Sequence, residues 1–282
     1  MATTKIEWAD KVWNPVTGCT KVSEGCTHCY AEQMANRFWG ARRFTDVQCH
    51  EERLDDPLHW KKPSKIFVNS MSDLFHEDVP DKFINDVFDT MEYAAQHTYI
   101  ILTKRPDRMC NFIHNYWIET LPLAEHIWLG VSVENQQVAD ERIPLLLQTP
   151  AAVRFVSVEP MLGPVDIRKY LLNLSCDHFA ENPEENEVRE GVIDCYRPEN
   201  VSGKCSPINC PFGGYDKLDW IICGGESGSG ARPIHPDWVR SLRDQCQEAG
   251  VPFFLKQMHI DGKLVKMPEL DGKVWDEFPE AM

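Results

Sequence analysis

Six short apolar stretches rich in Val, Ile, Phe and Trp recur along this chain, and most are separated by segments with helical spacing. The stretches are KIFVNS (65–70), TYIILTK (98–104), HIWLGVSVE (126–134), VRFVSVEP (153–160), DWIICGGE (219–226) and PFFLKQ (252–257). In one intervening segment, Phe83, Val87 and Met91 recur every fourth residue, as on one face of a helix. With a further short strand near KVWNP, about seven apolar strands alternate with helices. This pattern predicts an α/β protein with a full or partial parallel (β/α) barrel, TIM-like, forming one domain over residues 1–282.

Residues 173–218 interrupt this alternation. The segment is acidic, rich in turn-forming residues and poor in core residues, and it is too long for a plain loop in a compact domain. We therefore interpret residues 173–218 as a cysteine-containing insertion between the fifth and sixth predicted strands, counting the short strand near KVWNP as the first.

Almost every predicted strand ends in polar side chains. The set is Asn69, Ser70 and Asp73; Thr103, Lys104 and Arg105; Ser132, Glu134 and Asn135; Ser157 and Glu159; Gly224, Gly225, Glu226 and Ser227; and Lys256 and Gln257. The carboxyl ends of parallel barrel strands converge on one mouth, where the active sites of such barrels lie. The pattern predicts a shared site, although the same residues would also serve simply to begin surface loops.

Charge and composition narrow the classes of function. With 29 basic and 44 acidic residues the net charge is −15, which argues against non-specific DNA binding through counterion release. The first residues lack an apolar leader, and no apolar run is long enough for a membrane span, so we expect a cytoplasmic protein without a membrane partner. The 11 cysteines would then be reduced, and clustered cysteines indicate metal or redox sites rather than disulfides.

Three of those cysteines fall within GCTKVSEGCTHCYAE, residues 18–32. Their spacing is C-x6-C-x2-C, and the sequence predicts a helix from near Cys26 with Cys26 and Cys29 on its first turn and Cys19 in the preceding loop. Three thiolates without a nearby fourth ligand suit a [4Fe–4S] cluster with one open iron. Structural zinc completed by His28 or a distant residue, or three unliganded cysteines, are the alternatives.

Several motifs carry a family resemblance. They are WNPVTGC followed by GCTHCYAE, FVNSMSDLFHEDVP, ILTKRP, WLGVSVEN, RFVSVEPMLGP, IICGGESG with a later RP, and FFLKQ. On these motifs the chain resembles a phage- and prophage-associated three-Cys-motif family of unknown function. With C-x6-C-x2-C-Y on a predicted barrel and a later GGE, it also resembles the radical S-adenosylmethionine (SAM) superfamily.

The radical SAM resemblance implies a cofactor and a type of chemistry. A [4Fe–4S] cluster on Cys19, Cys26 and Cys29 would hold SAM on its open iron, and an electron donor would reduce it. Cleavage of SAM would release a 5′-deoxyadenosyl radical, which abstracts hydrogen from a substrate. Ser132 and Glu134 resemble the positions that hold the methionine part and ribose of SAM. Gly224 and Gly225 would allow close backbone approach, and Glu226 and Asp73 compete as ligands of the SAM amino group.

Basic residues suggest a substrate and catalytic groups. Lys104 lies at a strand end, where with Arg105 it would suit a phosphate or carboxylate, so a nucleotide or nucleic acid is one substrate class and a peptide another. Lys256, at the end of an apolar strand, needs an acidic partner such as Glu159 or Glu226. Lys104, Glu159 and Lys256 are the candidate catalytic residues. A hydrolase using Glu134, Glu159 and Lys104, or a zinc-dependent non-catalytic partner protein of phage origin, are the alternative functions.

The insertion carries a second group of metal-binding residue types. Cys176, His178, Cys195, Cys205 and Cys210 would suit zinc or another second metal, with free thiols or a disulfide as alternatives. The remaining cysteines, Cys49, Cys110, Cys223 and Cys246, are expected to be buried in the core.

Overall fold

The computed structural model describes residue 4 and residues 6–116, 124–171, 217–228 and 230–280. The predicted insertion, except for its last two residues, lies outside these described residues, and so does its candidate metal set of Cys176, His178, Cys195, Cys205 and Cys210.

Twelve strands and six α-helices are defined in the described residues. The strands are β1 (Lys11–Trp13), β2 (Val16–Thr17), β3 (Gln48–Cys49), β4 (Lys65–Val68), β5 (Thr98–Thr103), β6 (Ile127–Ser132), β7 (Val153–Val158), β8 (Trp220–Gly224), β9 (Phe253–Ile260), β10 (Lys263–Lys266), β11 (Glu269–Leu270) and β12 (Lys273–Val274). The helices are α1 (Tyr30–Phe38), α2 (Asp81–Tyr93), α3 (Pro106–Tyr116), α4 (Gln136–Gln148), α5 (Arg168–Leu171) and α6 (Pro236–Ala249).

One eight-stranded sheet organises the molecule, in the order β1-β4-β5-β6-β7-β8-β9-β10. Its first seven strands are parallel, and β10 joins β9 as an antiparallel hairpin. The sheet is curled, but β1 and β10 are its two edges and do not pair with each other, so it forms a half-barrel and not a closed barrel. The predicted partial parallel barrel with about seven strands is therefore confirmed, while β10 was not indicated by the sequence pattern.

Alternate residues of each strand face two different cores. One core lies between the sheet and the helices and includes Ile66 and Val68 of β4 together with Phe83, Val87 and Met91 of α2. The other core contains no helix residue; it holds seven residues of the parallel strands and Trp8, namely Trp8, Ile100, Trp128, Val153, Phe155, Trp220, Ile222 and Phe254. This second, aromatic core fills the concave face of the half-barrel, as side chains fill the interior of closed barrels.

Gly130 shows how tightly the concave core is packed. A Cβ atom at this position would lie 2.5 Å from the Phe155 ring of the neighbouring strand. The glycine therefore provides the space that the ring of Phe155 occupies inside the half-barrel.

Two features of the fold bear on the expectations above. Leu218 donates a backbone hydrogen bond to Tyr170, 2.9 Å, so the described residues on either side of segment 172–216 are adjacent. Cys223 and Cys246 are buried, as expected, but Cys49 and Cys110 are only partly buried, because β3 and the outer side of α3 lie near the surface.

The helices of the described part of the chain include none with the length and apolar character needed to cross a membrane.

Candidate active site at the carboxyl ends of the strands

A cleft of about 240 Å³ opens at the carboxyl ends of the parallel strands. Most of the residues predicted for the site line it: Cys19, Cys26, Cys29, Asp73, Lys104, Ser132, Glu159, Gly225, Glu226 and Lys256. Glu134 and Gly224 do not line the cleft, and they lie just behind its wall. The structure thus brings residues from the cysteine loop and from six successive strands to one place.

Strand alternation explains why these polar residues converge. In β6, Trp128 of the concave core is followed two and four residues later by Gly130 and Ser132, and Glu134 continues the same alternation. In β7, Phe155 is likewise followed by Ser157 and Glu159. Successive side chains of a strand point to opposite faces, so the polar strand ends continue the row that fills the half-barrel.

The cysteine loop (residues 18–29) differs from its predicted form. A 3₁₀ turn covers Glu24–Cys26, and α1 begins only at Tyr30, with Cys29 as its N-cap residue. The prediction that Cys26 and Cys29 share the first turn of one helix is therefore wrong. Gly18 begins the loop at φ +96°, where a Cβ atom would lie 2.7 Å from the Asp46 carbonyl oxygen, so the loop can enter the site only through a glycine.

Glu134 supports the cysteine loop from below. Its fully buried carboxylate accepts a hydrogen bond from the Gly25 amide (3.2 Å) and forms an ion pair with Arg142 (3.4 Å). A Cβ atom at Gly25 would lie 3.0 Å from the Glu134 carboxyl carbon, so a side chain there would displace the loop. The structure places Glu134 against the cysteine loop rather than in the wall of the cleft.

Glu226 holds the same loop from another side through Arg232. The Arg232 side chain donates to Glu226 at 2.6 Å and 3.0 Å, and it also donates to the Glu24 side chain (3.0 Å) and carbonyl (3.1 Å). Burial by itself would raise the pKa of Glu226, but the hydrogen bonds from Arg232 outweigh it and lower that pKa. Sequence analysis did not identify Arg232, because the arginine acts across 208 positions of the chain.

Asp73 and Arg105 connect the cleft to Cys19. Asp73 accepts hydrogen bonds from the Thr103 hydroxyl (2.7 Å), the Lys104 amide (3.0 Å) and Arg105 (3.2 Å). The same Arg105 nitrogen lies 3.5 Å from the Cys19 sulfur. Burial, and next the Asp73 charge, raise the pKa of the Cys19 thiol to about 11, against the opposing effect of Arg105.

Glu159 is the partner of Lys256, at 2.6 Å, and Gln257 donates to the same carboxylate oxygen at 3.1 Å. Gly224 packs against this carboxylate, since a Cβ atom there would lie 3.1 Å from its carbon. The predicted close approach at Gly224 is therefore to Glu159.

The three thiols of Cys19, Cys26 and Cys29 match in type the donors that the predicted cluster needs. Three free, half-buried thiols line one cleft, with the cationic Arg105 beside one of them; thiolates are the usual ligands of iron–sulfur clusters, so the chemistry of the donors fits such a group. Within the described ranges, however, no three Cys, His, Asp or Glu side chains are already arranged as a ligand set.

A family model for proteins of unknown function, DUF5131, matches residues 3–279. The chain belongs to this family. No curated protein matches it.

Structures of spore photoproduct lyase resemble part of the chain. A Cys-to-Ser mutant is 12% identical with a TM-score of 0.38, and a mutant with bound AdoMet and dinucleoside spore photoproduct is 13% identical with a TM-score of 0.39. Each match covers 56% of this chain and 48% of the lyase, so the chain matches about half the length of these structures. A third structure, complexed with dinucleoside spore photoproduct, is 14% identical with a TM-score of 0.35 over 51% of this chain and 44% of the lyase. At these TM-scores the likeness indicates neither a function nor a substrate for this chain.

Proposed function

We propose that this protein is a radical SAM-type enzyme that binds a [4Fe–4S] cluster through Cys19, Cys26 and Cys29. The observation that carries the proposal is that the three thiols and the polar strand ends line one cleft of a parallel half-barrel. A structural zinc site would account for the cysteines, but it would leave the convergent strand ends without a role.

Within this proposal the residues divide into two groups. Glu134, Glu226 and Arg232 position the cysteine loop, through the contacts to Gly25 and Glu24. Ser132, Asp73, Lys104 and the Glu159–Lys256 pair face the open space of the cleft and would contact SAM and substrate. When bound, the cluster and SAM would supply the electron transfer and the radical, and the concave face would exclude water from them.

Anaerobic reconstitution with iron and sulfide, followed by reduction and addition of SAM, tests the proposal. We expect a brown protein that releases 5′-deoxyadenosine. The triple variant Cys19→Ala/Cys26→Ala/Cys29→Ala should bind no cluster and release no 5′-deoxyadenosine. Cys49→Ala/Cys110→Ala is the matched control, because both cysteines are partly buried and neither lines the cleft.

Two results would contradict the proposal. A colourless protein holding stoichiometric zinc on the same three cysteines would indicate the zinc-dependent binding protein. A cluster that forms but never cleaves SAM would make the cysteines an electron-transfer or structural site.

A further inference from the structure

The charges that line the cleft are almost all neutralised by one another. Asp73 pairs with Arg105 at 3.2 Å and Glu159 pairs with Lys256 at 2.6 Å. Glu226 pairs with Arg232 at 2.6 Å. These three carboxylates therefore leave little net negative charge in the cleft.

Lys104 is the exception. Its backbone amide is bound by Asp73, but its ammonium group has no ion-pair or hydrogen-bond partner among the described residues. A half-buried cation in a cleft of neutralised carboxylates favours an anionic ligand group.

Asn69 adds an unpaired hydrogen-bond donor. It is 2% exposed and lines the cleft in the left-handed backbone region, at φ 61°. Its Oδ1 accepts from the Val16 amide at 3.1 Å, which orients the side-chain amide, and its buried Nδ2 has no partner. A buried donor without a partner has lost its hydrogen bonds to water without replacement, so a ligand acceptor at this position would be strongly favoured.

Trp8 provides a second donor of this kind. It lines the same cleft at 3% exposure, and its buried Nε1 has no partner. The indole lies 4.7 Å from the Phe67 ring, and Ile6, Phe67 and Leu102 form the apolar lining around it.

The register of β4 and β5 groups these features together. Val68 is paired with Ile101, so Asn69, directly after the end of β4, and Leu102 of β5 each follow a member of the same residue pair. Phe67 of β4 precedes Asn69 by two residues, and Leu102 of β5 precedes Lys104 by two; Asn69 and Lys104 lie just beyond the ends of their strands, and all four residues line the cleft. This apolar side of the cleft therefore carries two N–H donors, the Asn69 amide and the Trp8 indole. The Lys104 cation follows directly after the carboxyl end of β5.

We propose that this β4–β5 side of the cleft binds a single nucleotide as the substrate or as the reacting unit of the substrate. The apolar side chains cover the faces of the base, Asn69 Nδ2 and Trp8 Nε1 donate to acceptor atoms on its rim, and Lys104 binds the phosphate. One unpaired cation among the described residues that line the cleft, on a chain of net charge −15, suits one phosphate better than a nucleic acid backbone. The inference rests on the proposed function for its reaction, but the binding site can be tested without it.

Equilibrium dialysis with the reconstituted full-length protein is the test. The probes are the four ribonucleoside 5′-monophosphates, the nucleoside of the tightest of them, ribose 5-phosphate, SAM and a single-stranded oligonucleotide. The variants are Asn69→Gly, which keeps the left-handed backbone; Asn69→Asp, which keeps the acceptor for Val16; Trp8→Phe; and Lys104→Met. Lys82→Met, on the exposed side of α2, is the control.

The expected pattern separates base from phosphate. Asn69→Gly and Trp8→Phe should each raise the Kd of the nucleotide and of its nucleoside about tenfold and leave ribose 5-phosphate unaffected. Lys104→Met should raise the Kd of the nucleotide and of ribose 5-phosphate and leave the Kd of the nucleoside unchanged. Asn69→Asp should also raise the Kd of the nucleoside. If Asn69→Gly proves unstable, the comparison is made with Asn69→Asp instead, because it keeps the acceptor for the Val16 amide.

Other outcomes overturn the inference. If the Asn69 and Trp8 variants weaken the binding of SAM but not that of the nucleotide, the two N–H donors belong to the SAM site. Unchanged binding of every probe would mean that the donors bind only water, and tight binding of a single-stranded oligonucleotide alone would indicate a polymer site. The same dialysis on the triple cysteine variant separates the two proposals, since the Asn69 dependence of nucleotide binding should persist there even if no cluster forms and no SAM is cleaved.

Discussion

Arg105 uses every nitrogen of its guanidinium group to organise the entrance of the cysteine loop. It donates to Asp73 (3.2 Å), Glu77 (2.8 Å), the Thr20 hydroxyl (2.9 Å) and the Cys19 sulfur (3.5 Å). Burial by itself would raise the pKa of Glu77, but its hydrogen bonds, including that from Arg105, lower it to about 2. Arg105 therefore acts as a positioning residue that also brings positive charge next to a predicted cluster ligand.

Substitution of Arg105 should change the reduction potential of a reconstituted cluster. Arg105→Gln removes a cation and an N–H···S hydrogen bond, both of which stabilise the more negative reduced state, so the potential should fall. Arg105→Lys should restore part of it, because the charge is kept. Redox titration followed by electron paramagnetic resonance measures the effect; Arg108→Gln, which lies outside the cleft, should leave the potential unchanged. An identical potential in Arg105→Gln would exclude this role.

Among the strands, alternation determines both the core and the site. The same face of β6 carries Trp128, Gly130 and Ser132, so the packing of the concave core and the position of the candidate site residue Ser132 depend on one strand register. A shift of one residue would move the polar strand ends away from the cleft.

Gly130→Ala tests this packing. The added methyl group would lie 2.5 Å from the Phe155 ring, so we expect the free energy of unfolding to fall by about 2 kcal/mol. Denaturant unfolding measures the change, and Gly163→Ala, whose Cβ would approach only Asn135 at 3.9 Å, should be neutral. The additional substitution Phe155→Leu should recover part of the loss; a stable Gly130→Ala would mean that the concave core has room to spare.

At the scale of the whole molecule, the last turn of α5 and the residue pair before β8 are adjacent, because Leu218 donates a backbone hydrogen bond to Tyr170. That residues 173–218 are an insertion into a single domain stays a prediction.

Replacement of residues 173–216 by a short Gly-Ser turn should preserve the fold. Because closing a long loop costs entropy, we expect the free energy of unfolding to rise by about 2 kcal/mol, measured in guanidinium chloride. The iron content after reconstitution should be unchanged. A marked loss of stability would show that the segment, through its cysteines and histidine, stabilises the domain.

Period-two and period-four patterns in the sequence determined the parallel strands, the buried face of α2 and the polar residues at the strand ends, because each depends only on local spacing and burial. The spacing of Cys19, Cys26 and Cys29 likewise suffices to predict a thiol-lined site. Tertiary structure decided the rest: that α1 starts at Tyr30, that Arg232 and Arg105 neutralise carboxylates of the cleft, and that Asn69 Nδ2 and the Lys104 ammonium have no partner among the described residues. The physical reason is that ion pairs and unpaired donors depend on which distant strands and loops become neighbours, and in this half-barrel those partners are separated by up to 208 positions.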